Sequence, residues 1–286
     1  MSTGFGVGKK TVVVAVSIVT FIAVAGFSQT AVKERVIQWT DTLELDERVI
    51  AEIDRFAADE DEQFSADYSR NLAVNLRRLV FADVSKRLDA IAAGDIEPFV
   101  EVTYPEAGFA NQTGTAPAAK VEREFEDSFV RTELVAVFLE SGASPETALE
   151  LYTSPDFRKK ATSRIQRIWD ENGLNCVETG GVTMLLSPML NCSRVSELLL
   201  PDLAMQHSQV VRNEGGDGYQ PVYFKESVKT FVRVPGGIVL HYVNYSRTIG
   251  MGGLKKSIGR KKLKGSQEDA IEEFRSTIAP RSRDPD

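Results

Sequence analysis

The sequence has 286 residues, of which 42% are hydrophobic and 26% are charged, and this composition excludes a disordered chain and a membrane protein with many spans. Two histidines and two cysteines are too few ligands for a typical zinc or iron–sulfur centre, so we expect no metal and no cofactor. The net charge of −7 is unevenly distributed, with ten acidic residues between positions 41 and 62 and seven basic residues without an acid between positions 247 and 264.

The first predicted element is an apolar segment behind a Lys-Lys pair near the N-terminus. Residues 11–31 predict a transmembrane anchor or uncleaved signal, and residues 1–10 then form a short cytoplasmic tail. The alternative is a signal peptide that is cleaved after Ala25, at an A-x-A site. We expect the anchor, because a helical pattern continues beyond it. The bulk of the chain is then extracytoplasmic, which means periplasmic in a Gram-negative bacterium.

Residues 32–94 predict a helical stalk or hairpin. Apolar residues are spaced four, three and four apart, as in a coiled-coil heptad, at Val32, Val36, Trp39 and Leu43. A second amphipathic helix over residues 71–93 is long enough to pair with the first. This pattern predicts either a stalk that can form a homodimer or ordinary helix packing within one chain.

Residues 95–286 predict an α+β domain that begins with a strand at residues 99–104. An apolar pattern predicts a helix over residues 121–140. Two more helices are predicted to begin at Ser144-Pro145 and Ser154-Pro155, because each pair supplies a hydroxyl N-cap followed by a proline at the first helical position. The second of these is expected to run through Trp169.

An antiparallel hairpin is predicted near the C-terminus. Residues 223–234 and 238–247 are rich in valine, tyrosine and phenylalanine, and Pro235-Gly236-Gly237 separates them. A last helix is expected from Gln267 to Ile278. Helices followed by strands favour an α+β fold class for the whole domain.

Cys176 and Cys192 are the two cysteines of the chain. An even number without a Cys-x-x-Cys spacing predicts one structural disulfide in an oxidising compartment. Two buried free thiols remain the alternative.

A glycine-rich basic loop is predicted at residues 250–264. Its cations are candidates for contact with an anionic ligand or partner: Lys255, Lys256, Arg260, Lys261, Lys262 and Lys264. A mobile solvated loop is the alternative interpretation. We expect no nucleic acid as partner, because aromatic residues are not interleaved with these cations.

No catalytic residue can be assigned from the sequence. His207 and His241 are the only imidazoles, and no Gly-x-Ser-x-Gly motif is present. The absence of a catalytic motif favours a non-enzymatic, single-pass, membrane-anchored envelope protein with a binding or assembly role. Its expected partners are the membrane and another envelope protein or anionic envelope component. The alternative is an exported cell-envelope hydrolase that uses carboxylates or His241.

Overall fold

The computed structural model describes residues 29–48, 51, 66–104, 129–180, 189–214, 222–248 and 254–279. The helices within these ranges are α1 (Gln29–Asp41), α2 (Ala66–Ala92), α3 (Pro145–Thr153), α4 (Pro155–Ala161) and α5 (Leu254–Ile278). The strands are β1 (Phe99–Thr103), β2 (Phe129–Leu139), β3 (Ile165–Glu171), β4 (Leu174–Thr179), β5 (Met189–Leu200), β6 (Leu203–Glu214), β7 (Val222–Val234) and β8 (Gly237–Thr248). The fold is therefore α+β.

The strands form one 8-stranded antiparallel sheet in the order β1-β2-β8-β7-β6-β5-β4-β3. Strands β3 to β8 follow one another as a meander. The last of them, β8, returns to pair with β2 over residues 129–139 and 237–247. This pairing places chain segments that are about a hundred residues apart side by side, as the second and third strands from the β1 edge of the sheet.

Helices cover both faces of the sheet. Because side chains alternate along a strand, Val239 and Val243 of β8 face α2, whereas Ile238 and Leu240 face α3 and α5. The α2 face carries a core that includes Leu76, Val80 and Val84, and α1 packs beside it. The opposite face carries an aromatic core made of Phe138, Tyr152, Phe157, Phe231 and Phe274.

The predicted C-terminal hairpin is present as β7 and β8. Gly236 has φ of 82°, a value that a type II turn requires after Pro235 and that glycine adopts without strain. A side chain at Gly237 would collide with the carbonyl oxygen of Phe138, so close pairing with β2 also requires glycine there.

Both predicted serine N-caps are present. Ser144 Oγ accepts a hydrogen bond from Thr147 N at 3.0 Å, and Ser154 Oγ accepts one from Phe157 N at 3.2 Å. Ser154 also ends α3, because its hydroxyl donates to Leu151 O at 2.8 Å. One serine therefore terminates one helix and starts the next.

The predicted helix over residues 121–140 is wrong where the structure describes it, because residues 129–139 form β2. Both faces of β2 are buried, so its apolar residues run on without the alternation that marks a half-exposed strand. The helix expected to run through Trp169 is also wrong beyond Ala161, since residues 165–171 form β3.

The helical segment differs from the predicted stalk. Helix α1 ends at Asp41, and Trp39 O accepts a hydrogen bond from Thr42 N at 3.0 Å in the turn that follows. The apolar stripe of the expected coiled coil packs instead on the α2 core, with Val36 buried there. The contacts that predicted a homodimer are thus made within one chain.

The predicted basic loop 250–264 is also corrected: from Leu254 onward these residues belong to helix α5. Lysine and arginine favour helix, and Gly259 within the segment does not interrupt it. Residues 249–253 lie outside the described residues, as do residues 1–28 with most of the predicted anchor.

The predicted disulfide joins Cys176 of β4 to Cys192 of β5. The two residues are direct cross-strand partners, and both are fully buried in the α2 core. The bond therefore links β4 and β5, the second and third strands from the β3 edge of the sheet.

Candidate functional site

A cavity of about 110 Å³ lies between the end of α1, helix α2 and strands β5 and β6. Trp39 and Leu43 form its apolar wall, and the exposed Thr42 stands at its rim. An engineered cavity of about 150 Å³ holds benzene, so this space suits a ligand of a few heavy atoms.

Strand pairing brings the polar wall of the cavity together. Arg194 and Ser196 of β5 are the cross-strand partners of Gln209 and His207 of β6, and all four side chains line the cavity. They share one face of the sheet because residues two apart along a strand point the same way. Arg77 of α2 closes the cavity from the helix side.

A fully buried carboxylate, Glu226 of β7, holds this wall in place. Its Oε2 is bound to His207 Nε2, and its Oε1 accepts a hydrogen bond from Gln209 Nε2 at 2.7 Å. Arg77 Nε lies 3.6 Å from Glu226 Oε1, within ion-pair distance but beyond a hydrogen bond. The negative charge of Glu226 is thus compensated by His207, Gln209 and Arg77, and all three of these side chains line the cavity.

Arg77 has unused hydrogen-bonding capacity at the cavity. Its Nη1 donates to Leu43 O at 2.6 Å and ties the loop after α1 to α2. Its Nε and Nη2 are buried and have no hydrogen-bond partner within the part of the chain that the structure describes, and the same is true of Gln209 Oε1. Because buried donors without acceptors are costly, these groups mark a place for a ligand or water oxygen.

Arg194 contributes the second cation of the cavity. Its side chain is 42% exposed, and its Nη1 lies 4.0 Å from Asp46 Oδ2. The hydrogen bond from Arg48 outweighs burial and lowers the pKa of Asp46, which binds Arg48 more closely than Arg194. Arg194 therefore keeps donors at the rim, where a ligand can reach them from solvent.

His241, the candidate base of the sequence analysis, lies elsewhere. It is fully buried on β8, and its Nε2 is 3.2 Å from Glu133 Oε1 on β2. Burial lowers the pKa of His241, although Glu133 acts in the opposite direction. His241 is not among the residues that line the cavity, whereas His207 is.

The six predicted anion-contacting cations all lie on the N-terminal half of α5. Lys261 and Lys262 are exposed, and Arg260 stacks over the Tyr104 ring with its guanidinium carbon 5.4 Å from the ring centroid. Lys264 Nζ lies 3.8 Å from Glu268 Oε1. A contact role for this group stays a prediction.

The arginine site was missed by sequence reasoning. Arg77 stands in an amphipathic helix where an arginine is normally solvated. It is buried here because the loop after α1 accepts a hydrogen bond from its Nη1 and Glu226 of β7 lies beside its Nε. A weak signal was the alternation His207-Ser208-Gln209 inside an apolar strand, which places two polar side chains on one buried face. Within the described ranges, no group of three His, Cys, Asp or Glu side chains is placed to hold a metal.

Comparison with known proteins gave likeness only in structure. No protein-family model matches the chain, and no curated protein matches its sequence. Human STARD10 is similar with a TM-score of 0.42 and 13% identity, covering 68% of this chain and 79% of that protein. Human StAR-related lipid transfer protein 5 is similar with a TM-score of 0.40 and 13% identity, covering 70% of this chain and 95% of that protein. A STAR-related lipid transfer protein from Xanthomonas axonopodis has a TM-score of 0.41 and 8% identity, covering 53% of this chain and 86% of that protein.

Among the described helices, none is both long enough and apolar enough to cross a membrane. The predicted role of a single-pass envelope protein, with the membrane and another envelope component as partners, is wrong by these findings. The helices expected to form an extended stalk pack on the domain instead. His241, the imidazole candidate of the alternative envelope hydrolase, is fully buried in the core.

Proposed function

We propose that this domain binds a small organic anion, of the carboxylate class, in the cavity beneath α1. The observation that carries the proposal is the pair of buried Arg77 donors, Nε and Nη2, which lack a hydrogen-bond partner among the described residues. These two N–H groups lie on the same side of a planar guanidinium, the geometry that binds a carboxylate through both oxygens.

The composition of the wall supports a ligand with an anionic head and a small apolar body. Arg77 and Arg194 supply two positive charges to the lining against the one carboxylate of Glu44, whereas Glu226 is already bound to His207 and Gln209. Trp39 and Leu43 supply apolar surface next to these cations. Such a combination of apolar wall and few oriented polar groups is typical of small-molecule sites.

Isothermal titration with acetate and propionate tests the proposal, with acetamide and propionamide as neutral analogues of equal size. We expect at least one acid to bind about tenfold or more tightly than its amide, since the amide has no charge for the arginines to pair with. Failure of both acids to bind at millimolar concentration, or equal affinity for acid and amide, would overturn the proposal.

Arg194→Met provides the variant, because Arg194 is at the rim and its removal leaves the buried Glu226 group intact. We expect acid affinity to fall about fivefold or more. Arg233→Met is the matched control: its side chain has the same 42% exposure and pairs with Asp202 away from the cavity. Equal affinities of the two variants would contradict the assignment of the site.

We also propose that the domain resides in an oxidising compartment outside the cytoplasm. The buried disulfide between Cys176 and Cys192 supports this location. Thiol labelling of the protein directly from its host cells, before and after reduction, tests it. Labelling that requires reduction is expected, and free thiols in the native protein would contradict the location.

A further inference from the structure

The wall of the cavity carries a buried acceptor as well as buried donors. Gln209 of β6 is 1% exposed, and its Oε1 has no hydrogen-bond partner within the described part of the chain. The orientation of this amide follows from Glu226, because an ionised carboxylate only accepts hydrogen bonds and therefore binds the amide nitrogen, at 2.7 Å. Oε1 is thus the group of this amide that remains for an occupant of the cavity, which Gln209 lines.

This acceptor belongs to a side chain that lies next to Arg77. Glu226 Oε1 is 2.7 Å from Gln209 Nε2 and 3.6 Å from Arg77 Nε, so the two side chains meet at one atom. A plain carboxylate would satisfy the arginine donors, but it has no hydrogen to give to Gln209 Oε1. Because a buried polar group without a partner is costly in either case, the best occupant combines an anionic head with a hydrogen-bond donor close to it.

The charge of the lining favours a neutral donor. Arg77 and Arg194 carry two positive charges, and Glu44 supplies one carboxylate. An ammonium group on the ligand would add a third positive charge beside the arginines, and Gln209 would offer it only a neutral oxygen. A hydroxyl group donates the same hydrogen bond without this repulsion.

The size of the cavity keeps the two groups of the ligand close together. A space of about 110 Å³ takes only a few heavy atoms, so the hydroxyl has to stand on a carbon near the carboxylate. We propose that the cavity selects 2-hydroxycarboxylates, with the carboxylate on Arg77 and the hydroxyl donating to Gln209 Oε1. This inference rests on the proposed function, because it adds a second contact to the same ligand.

Glycolate, propionate and glycine test the inference by isothermal titration. The three ligands have equal numbers of non-hydrogen atoms and differ only in the hydroxyl, methyl or ammonium group next to the carboxylate. We expect glycolate to bind about tenfold or more tightly than propionate, since a methyl group leaves Gln209 Oε1 without a donor. Glycolate should also bind more tightly than glycine.

The outcomes separate this inference from the proposed function. Equal affinity for glycolate and propionate would overturn the hydroxyl contact and leave the carboxylate site standing. Tighter binding of glycine than of glycolate would overturn the preference for a neutral donor. Absence of binding by every acid would overturn the proposed function together with the inference.

Gln209→Met removes the acceptor at similar side-chain length. We expect glycolate and propionate to bind this variant with affinities within about threefold of each other, because only glycolate loses a contact. A general disturbance of the wall would instead weaken both ligands alike and preserve their ratio. Gln206→Met is the matched control: Gln206 is a buried glutamine on the opposite face of the same strand, bound to Glu197, and this variant should keep the wild-type ratio. A wild-type ratio in Gln209→Met would overturn the assignment, and the comparison of ligands on the wild type decides the matter if the variant does not fold.

Discussion

Glu133 is the residue that connects most of the charged groups beneath α2. Its carboxylate accepts hydrogen bonds from Arg131 and His241 and lies 3.2 Å from Arg87 Nη2. Arg131 in turn donates to Asp83 of α2 at 2.9 Å. Glu133 therefore joins β2, β8 and α2 through side chains that are mostly withdrawn from water.

Glu133→Gln is expected to lower the free energy of unfolding by about 3 kcal/mol, because it leaves Arg87 and Arg131 half-buried without this counter-charge. Urea denaturation followed by circular dichroism measures the loss. Glu101→Gln is the control: Glu101 also pairs with Arg131, at 3.4 Å, but its side chain is 53% exposed and should contribute less than about 1 kcal/mol. Equal losses in the two variants would contradict the role of burial.

The same residue predicts how stability depends on pH. Burial would raise the pKa of Glu133, but the hydrogen bond from His241 and the charge of Arg131 lower it from 4.5 to about 2. A carboxyl group with a lowered pKa in the folded state stabilises the fold above its ordinary value, and the contribution is lost as the pH falls through the folded value.

The free energy of unfolding should therefore fall between about pH 4.5 and about pH 2 in the wild type, and Glu133→Gln should lack this component. The lowered pKa of His241 acts in the same direction, since its protonation below 6.5 favours the unfolded chain. Urea titrations at several acidic pH values give the two curves. Parallel curves for wild type and variant would show that Glu133 has an ordinary pKa.

At the scale of elements, the sequence predicted correctly the features that depend on neighbouring residues. The serine caps and the β7–β8 hairpin depend on residues adjacent in sequence, and they were predicted correctly. Strand β2 was mistaken for a helix because Val135 and Leu134 are buried on opposite faces of the sheet, so no period of two was visible. The two faces of β2 are covered by α2 on one side and by α3 and α5 on the other, and α2 and α5 are more than a hundred residues apart in the chain.

Ser154→Ala should destabilise the protein by about 1 kcal/mol, because the hydroxyl both ends α3 and caps α4. Thermal unfolding measures the effect. Ser276→Ala is the control on the exposed surface of α5, where the hydroxyl bonds only to its own helix and alanine is the better helix former. A loss at Ser276 as large as that at Ser154 would contradict the capping assignment.

The candidate site also depends on tertiary structure. Arg77, Arg194 and His207 come from α2, β5 and β6, and no spacing in the sequence relates them.

At the scale of the whole molecule, one sheet supports two separate cores. Leu76 of α2 is fully buried against one face, and Phe274 of α5 is fully buried against the other. Phe274 lies 5.0 Å from Phe138 and Tyr152, and 5.7 Å from Phe231, measured between ring centroids. Because β7 and β8 contribute side chains to both cores, neither core can persist once the strands separate.

Leu76→Ala and Phe274→Ala should therefore shift the same cooperative unfolding transition, each by about 3 kcal/mol or more. Tryptophan fluorescence reports mainly on the α2 core, where Trp39 and Trp169 pack, and far-ultraviolet circular dichroism reports on the whole fold. The two probes should give coincident curves in both variants. Ile258→Ala is the control, since Ile258 is on α5 but 46% exposed and should change little. Separate transitions for the two probes in Phe274→Ala would show that the α5 core unfolds independently of the sheet.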